Sequence, residues 1–284
     1  MNQETVEQVR DQTAWPSCST KMERHFQVEF ALTPSQIEES FRLRYRVFVE
    51  ELGAKIDCTT PLGLESDHFD QYCHHVMVRD LNTGHVVACT RILTDTQARV
   101  AGGFYSAKEF DVSPIIATDG RVMEIGRTCV DPGYRTGATI GTLWSGLAQF
   151  MEINRFAYLM GCASIPMSDG GVQARLIMAH LRAKYLTPES LRINSRRTLP
   201  SEPLPTYGQN PEIKIPPLLK AYLRLGAKIG GEPYWDEEFN TADVFVWLER
   251  ANLQQRYLRH FVQRKSEETA GSRHCRFAAW FIAA

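Results

Sequence analysis

The segment 121–156 constrains this chain more than any other. Ten residues, Arg121-Val122-Met123-Glu124-Ile125-Gly126-Arg127-Thr128-Cys129-Val130, read as a strand. Asp131-Pro132-Gly133 breaks it sharply. From Thr139 to Phe156, Ile140, Leu143, Trp144, Leu147, Phe150 and Met151 recur at helical spacing. A short apolar strand, 157–163, follows. The turn between the first strand and the helix, Arg135-Thr136-Gly137-Ala138-Thr139-Ile140-Gly141, sits at a helix N-terminus. Exposed backbone N–H groups there can hold a phosphate.

The remaining elements fit around that unit. Segment 26–31 alternates apolar and polar residues, as a strand does. Thr33-Pro34 starts a helix that runs to Leu52 and is closed by Gly53. Segments 74–80 and 85–93 form a hairpin around Asn82-Thr83-Gly84. Further helices are expected at 172–186 and 216–226, and a strand at 241–248. Between the helices, 187–217 is a long Pro- and Arg-rich loop able to cover a site. Segment 249–264 reads as a basic helix. The order predicts an α/β (α+β) chain with a mixed sheet. Residues 1–25 are expected to be a flexible leader, 26–265 one domain, and 266–284 a tail.

Composition excludes several classes. At 43% hydrophobic and 23% charged, the chain is that of a globular protein. Thirty-two basic against 33 acidic residues give no basic excess, which argues against nucleic acid as a partner. The seven cysteines are scattered with no Cys-x-x-Cys pair, so reduced thiols are expected and no metal site. His68, His74, His75 and His85 lack the carboxylate or cysteine spacing of ligands. No run reaches the roughly 20 apolar residues that span a bilayer, and the first residues are polar. The expectation is a cytoplasmic protein.

Several motifs stand in a telling order. Arg44 and Phe48 lie in Leu43-Arg44-Tyr45-Arg46-Val47-Phe48, and Glu65-Ser66-Asp67-His68-Phe69-Asp70 follows. Arg91 closes the hairpin, and Glu124-Ile125-Gly126-Arg127 occupies the long strand. Together they resemble the GNAT acyltransferases, and within them the acyl-homoserine-lactone synthases, with their Arg-x-x-x-Phe, Glu-x-Asp-x-x-Asp and Glu-x-x-Arg signatures. The chain departs from that branch at Gly53-Ala54, where a Trp usually follows the Leu-Gly. Its second half is similar to a sister branch, the ornithine–acyl carrier protein N-acyltransferases, also called hemolysin-like. Pro216-Pro217-Leu218-Leu219-Lys220-Ala221-Tyr222-Leu223-Arg224-Leu225-Gly226 carries that likeness. So do Gly231-Glu232-Pro233-Tyr234-Trp235-Asp236 and Phe239-Asn240-Thr241-Ala242-Asp243.

The resemblance implies a GNAT-like, mostly antiparallel sheet flanked by helices. It also implies transfer of a (3-hydroxy)fatty acyl group from acyl carrier protein to the α-amine of L-ornithine, giving lyso-ornithine lipid. No resident cofactor is implied, because the phosphopantetheine-linked acyl donor is itself a substrate. Another N-acyl amino acid such as N-acyl glycine, or a homoserine lactone, is the alternative product. A non-enzymatic, membrane-active protein is the alternative of another class. No long apolar or pore-like amphipathic segment supports it.

The chemistry assigns roles. A thioester is aminolysed by a neutral amine, so a base is needed. Glu124, on an apolar strand, is the candidate base, with Arg127 beside it as the second catalytic residue. Pairing of Glu124 with Arg127 as a brace is the competing reading. Arg44, Phe48, Asp67, Asp70 and Arg91 are the candidate substrate-binding residues. Asp67 and Asp70 suit the ammonium groups of a cationic amino acid, or else form a turn network with Arg44. Arg44 and Arg91 suit a substrate carboxylate, or else pair with those aspartates. Phe48 is a wall of the acyl channel or a core aromatic. Arg135, Thr136, Gly137, Ala138 and Gly141 are expected at the pantetheine phosphate, although the spacing differs from the usual GNAT turn. Arg192, Arg196 and Arg197 suit docking of the acidic carrier protein by charge, or a solvated loop. Arg250, Arg256, Arg259, Arg264 and Lys265 suit peripheral contact with the inner-membrane surface, or a solvated helix.

Overall fold

A computed structural model describes residues 24–55, 63–200 and 212–253. The first helix, α1 (Pro34–Arg44), begins where Thr33 and Gln36 cap each other reciprocally, with Pro34 at the first position. It does not run on unchanged to Leu52. Residues Tyr45–Glu51 widen into a π-helical turn, with Leu52 N–H donating five residues back to Val47 at 3.1 Å. Gly53 then ends it at φ +69°, a conformation that favours glycine.

Strands β1 (Phe26–Phe30), β2 (His74–Asp80) and β3 (Val86–Thr94) lie close to their expected places. Between β3 and β4 (Arg121–Val130) the sequence shows no periodic element, yet three short ones form there. These are α2 (Asp95–Ala101), a 3-10 turn at Tyr105–Lys108, and α3 (Ser113–Ile116). Helix α4 (Gly137–Ile153) starts two residues before the expected Thr139, because Thr136 caps it. It also stops earlier: Phe156, expected in the helix, opens β5 (Phe156–Pro166) instead. Helices α5 (Val172–Lys184) and α6 (Pro217–Leu225) follow. The short strands β6 (Lys228–Ile229) and β7 (Tyr234–Asp236), which the sequence did not reveal, precede β8 (Thr241–Glu249).

The expected long loop carries a 3-10 turn at Glu189–Leu191, and its residues 201–211 lie outside the described ones. In place of the start of the basic helix there is a 3-10 turn, Arg250–Asn252; the rest of that segment, most of the leader and the tail lie outside the described residues. Among the described residues no helix is long and apolar enough to cross a membrane.

The eight strands form one mixed, mostly antiparallel sheet in the order β1-β2-β3-β4-β5-β8-β6, with β7 also on β8. Only β4 and β5 are parallel neighbours, and α4 is the crossover that a parallel pair requires. Helix α4 packs on one face, its Leu143, Trp144, Leu147 and Met151 buried against Val28, Val76 and Ile92. Full burial of each such side chain contributes about 1.5–3 kcal/mol. A Cβ on Gly146 would meet Val28 at 2.5 Å, which brings the helix directly onto β1. The opposite face is covered by α1, through Leu43 and Val47, and by the 69–115 segment, through Phe69, Phe104 and Phe110.

Two irregularities prepare the site. The β4–β5 ladder stops at Ile125 and Gly161, so 126–130 and 162–166 part from each other while each stays paired on its outer edge, to β3 and β8. In β4, two residues, Arg127 and Thr128, oppose the single Thr90 of β3, which is a β-bulge. Arg127 adopts φ +52° there, a backbone region costly for a residue with a side chain.

Candidate active site

The diverging halves of β4 and β5 open a cavity of about 370 Å³. Gly126, Arg127 and Thr128 line one side, and Cys162, Ser164 and Pro166 the other. Glu124 lies at the closed end, on the last rungs of the ladder. Its carboxylate is 3% exposed. It takes no ion pair with Arg127, so the brace reading falls. A regular strand sets residues three apart on opposite faces, and although the bulge restores Arg127 to the same cavity, its guanidinium goes elsewhere.

What holds Glu124 is backbone and hydroxyl. Tyr105 N–H donates to one oxygen at 2.7 Å; Ser106 N–H donates to the other at 2.8 Å, joined by the Ser106 hydroxyl. Burial pushes this carboxyl above its usual range, and those donors only partly offset it. The Tyr105–Lys108 turn therefore supplies the residues that position the candidate base. Sequence reading missed both, since nothing periodic marks the turn.

The Arg and Asp residues of the motifs form one ion network. Arg44, 1% exposed, donates to Glu65 and, with both terminal nitrogens, to Asp70 at 2.7 and 3.0 Å. Arg91 donates to Asp67 at 2.5 and 2.8 Å and to Asp70 at 3.0 Å. Arg127 donates to Glu65 and Asp67, both at 3.0 Å. Three guanidiniums thus meet three carboxylates. Asp67 also caps the 3-10 turn His68–Tyr72. Burial alone would raise Asp70, but Arg44 and Arg91 together hold it well below the usual carboxylate range.

The turn-network reading of Asp67 and Asp70 therefore describes their contacts. Arg44 is enclosed and spent on Glu65 and Asp70, away from any substrate carboxylate. Arg91 and Arg127 reach the cavity wall. Phe48 lines the cavity too, edge-on to Phe239 with ring centroids 5.8 Å apart.

The expected phosphate turn is only partly formed. Gly137 and Ala138 are exposed at the start of α4, where helix N–H groups lack helical partners. Thr136 spends its hydroxyl on Thr139 N–H at 3.3 Å. Gly141 is buried a turn inside α4, where backbone N–H groups are bonded within the helix, so it is no phosphate donor. Arg135 extends to Glu51, a cavity residue, at 2.6 Å. Of the basic loop residues, Arg196 donates to the Ala107 carbonyl at 2.9 Å and Arg197 pairs with Glu237 at 3.0 Å.

A second acidic group was not singled out from the sequence as a site. Glu109, Asp236 and Asp243 each place a carboxylate oxygen within 4.8 Å of the others. Asp236 and Asp243 line the cavity. None of the three has an ion pair among the described residues. Both aspartates lie in the motif carrying the second-half resemblance, which was the available signal.

A mixed sheet splayed beside a parallel-strand crossover, with a buried carboxylate at the apex, defines an acyltransferase of the GNAT class. Consistently, residues 43–145 match the family model described as Acetyltransferase (GNAT) domain. The chain is 33% identical over 253 residues to an L-ornithine N(alpha)-acyltransferase of Rhodobacter capsulatus, covering 85% of this chain and 96% of that one. It is 32% identical over 250 residues to the protein of the same name from Brucella abortus, covering 83% and 88%. The solved structure of FeeM, an N-acyl amino acid synthase from uncultured soil microbes, aligns with a TM-score of 0.49 at 11% identity, covering 82% of this chain and 95% of that one. The chain belongs to the L-ornithine N(alpha)-acyltransferase family.

Proposed function

We propose that this enzyme moves a (3-hydroxy)fatty acyl group from acyl carrier protein to the α-amine of L-ornithine, releasing lyso-ornithine lipid and the carrier thiol. The observation that carries this reading is Glu124, enclosed at the apex of the β4–β5 gap with its affinity for a proton raised. The ornithine and the acyl transfer come from the family relatives. The carrier protein is supported by the gap, which suits a pantetheine arm laid between two unpaired strand edges.

In this mechanism the thioester carbonyl lies in the gap and the α-amine approaches from the side of Glu124. Glu124 takes the amine proton, the nitrogen forms a bond to the carbonyl carbon, and the negative charge moves to the carbonyl oxygen. Backbone N–H groups on the strand edges facing the gap, past the end of the β4–β5 ladder, stabilise that oxygen. Collapse breaks the carbon–sulfur bond, and Glu124 passes the proton it took to the leaving thiolate, restoring its carboxylate. No acyl-enzyme is needed. Burial pushes the Cys73 thiol up to about 12 and raises the Cys162 thiol well above its usual range, so neither cavity cysteine supplies a thiolate. Exposed Gly137 and Ala138, with Arg135, receive the arm's phosphate. Arg192, Arg196 and Arg197 face the acidic carrier. No resident cofactor enters any step.

The test is lipid mass spectrometry after expression in a host lacking ornithine lipids. Amide-linked 3-hydroxyacyl ornithine is the expected product; acyl glycine or a lactone alone overturns the reading. The variant Glu124→Gln should lower turnover by about 10²–10⁴-fold, the usual worth of a general base, at an unchanged melting temperature.

A further inference from the structure

The acidic trio poses a question that the reaction at Glu124 does not answer. Glu109 is 3% exposed, Asp236 8% and Asp243 6%. Burying one carboxylate is costly, and such groups are ordinarily paired. Here three share one corner without a cation among the described residues. Asp243 has only Thr241 and Ser164 hydroxyls, the first at 2.9 Å. Asp236 directs one oxygen to Glu238 and Phe239 N–H. Glu109 receives the Cys162 thiol at 3.2 Å on one oxygen and no donor on the other. Among the described residues that second oxygen has no hydrogen-bond donor, on a side chain only 3% exposed.

The trio sits close to the reacting centre. The Ser106 hydroxyl that donates to Glu124 lies 3.5 Å from Cys162 Sγ, and Cys162 donates to Glu109. The trio therefore lies within one side chain's reach of the place where a substrate's α-amine would meet Glu124. Three methylene groups carry the δ-nitrogen of ornithine away from its Cα.

We infer that Glu109, Asp236 and Asp243 form the receptor for the side-chain ammonium of the acceptor amino acid, and so set the preference for a diamino acid. This rests on the proposed acylation of ornithine. An ammonium has three donors and fits three carboxylate acceptors. The same site rejects an acceptor with an apolar side chain, because the carboxylates would then stay buried without a partner. Arg91 and Arg127 are already held by the ion network, so they do not fill this corner.

The test compares kcat/KM for ornithine and for norvaline, which lacks only the δ-amine, in the intact enzyme with its acyl carrier donor. The unaltered enzyme should prefer ornithine. Asp243→Asn and, independently, Glu109→Gln should each lower the ornithine-to-norvaline ratio roughly 10- to 100-fold, the worth of one charged hydrogen bond. Either variant that folds, as judged by melting, suffices. A ratio unchanged in the variants overturns the inference and leaves ornithine acylation standing. So does an unaltered enzyme that acylates norvaline as well as ornithine. Loss of the preference on adding EDTA also overturns it, by showing a metal ion in the trio. An enzyme that acylates neither amino acid overturns the inference together with the function on which it rests.

Discussion

Two acidic trios lie at the same cavity and meet opposite fates. Glu65, Asp67 and Asp70 are met one for one by Arg44, Arg91 and Arg127. Glu109, Asp236 and Asp243 form no ion pair among the described residues. Burial acts in the same direction on Asp67 and Asp70 as on Glu109 and Asp243, raising each carboxyl group. The arginines reverse it in the first trio, so that Asp67 and Asp70 fall below their ordinary range. In the second no ion pair overcomes it: Glu109 rises well above the usual value and Asp243 to about 6. A neutralised cluster is scaffold, whereas an unneutralised one in a cavity is a place for a cation to arrive.

The sharpest way to break this contrast is Arg44→Met. It leaves Glu65 and Asp70 buried without their main partner, which should cost about 3–5 kcal/mol. Urea unfolding measures it, and a loss under about 1 kcal/mol would deny that the network is scaffold.

Asp243→Asn should do the opposite. The folded carboxyl titrates near 6, above its ordinary 3.8, so folding favours the protonated form. Its ionisation weakens the fold as pH rises between those values, and the penalty is complete above the upper one. Glu109 and Asp236 face it with like charge, while Arg127 and the Ser164 and Thr241 hydroxyls offset part of the effect. The variant should therefore be stabilised by roughly 1–3 kcal/mol at pH 8 and by nothing below pH 4. Denaturant titrations across that range decide it, and greater stabilisation in acid would reverse the sign of the argument.

The smallest effect is expected where ions meet in water. Arg182 and Glu232 pair at 2.6 Å with both side chains exposed. Arg182→Gln should change stability by less than about 0.5 kcal/mol, against which the two buried trios can be scaled.

The sequence made part of this contrast readable. The Thr33-Pro34 helix start, the Asn82-Thr83-Gly84 hairpin and the long apolar strand at 121–130 are local signals, and the structure keeps all three. Part of the ion network was also visible: Arg44 and Arg91 against Asp67 and Asp70, whereas Arg127 was expected beside Glu124 and its pairing with Glu65 and Asp67 was not seen. What Glu124 touches was not. Its donors come from Tyr105 and Ser106, in a stretch whose fold follows from covering Phe104 and Phe110 rather than from any periodicity. The bulge at Arg127 was hidden for the same reason. A strand pattern gives the side that a residue faces only while the ladder stays regular, and the Gly126 beside it was a faint hint. The second trio joins Glu109, from a turn, to Asp236 and Asp243, from two strands far along the chain, a juxtaposition that only tertiary pairing creates.

One consequence follows from Gly161, the last residue of β5 still bonded to β4. A β-carbon there would stand 2.3 Å from the Ile125 carbonyl oxygen. Slipping the two strands by a single position would bring Met160 or Cys162, each bearing a side chain, to that contact. The fork between the strands is thus pinned at one point along the chain, as a hinge pin fixes where two plates part. That pin lies a single rung from Glu124, so the carboxylate cannot shift along the fork without breaking it.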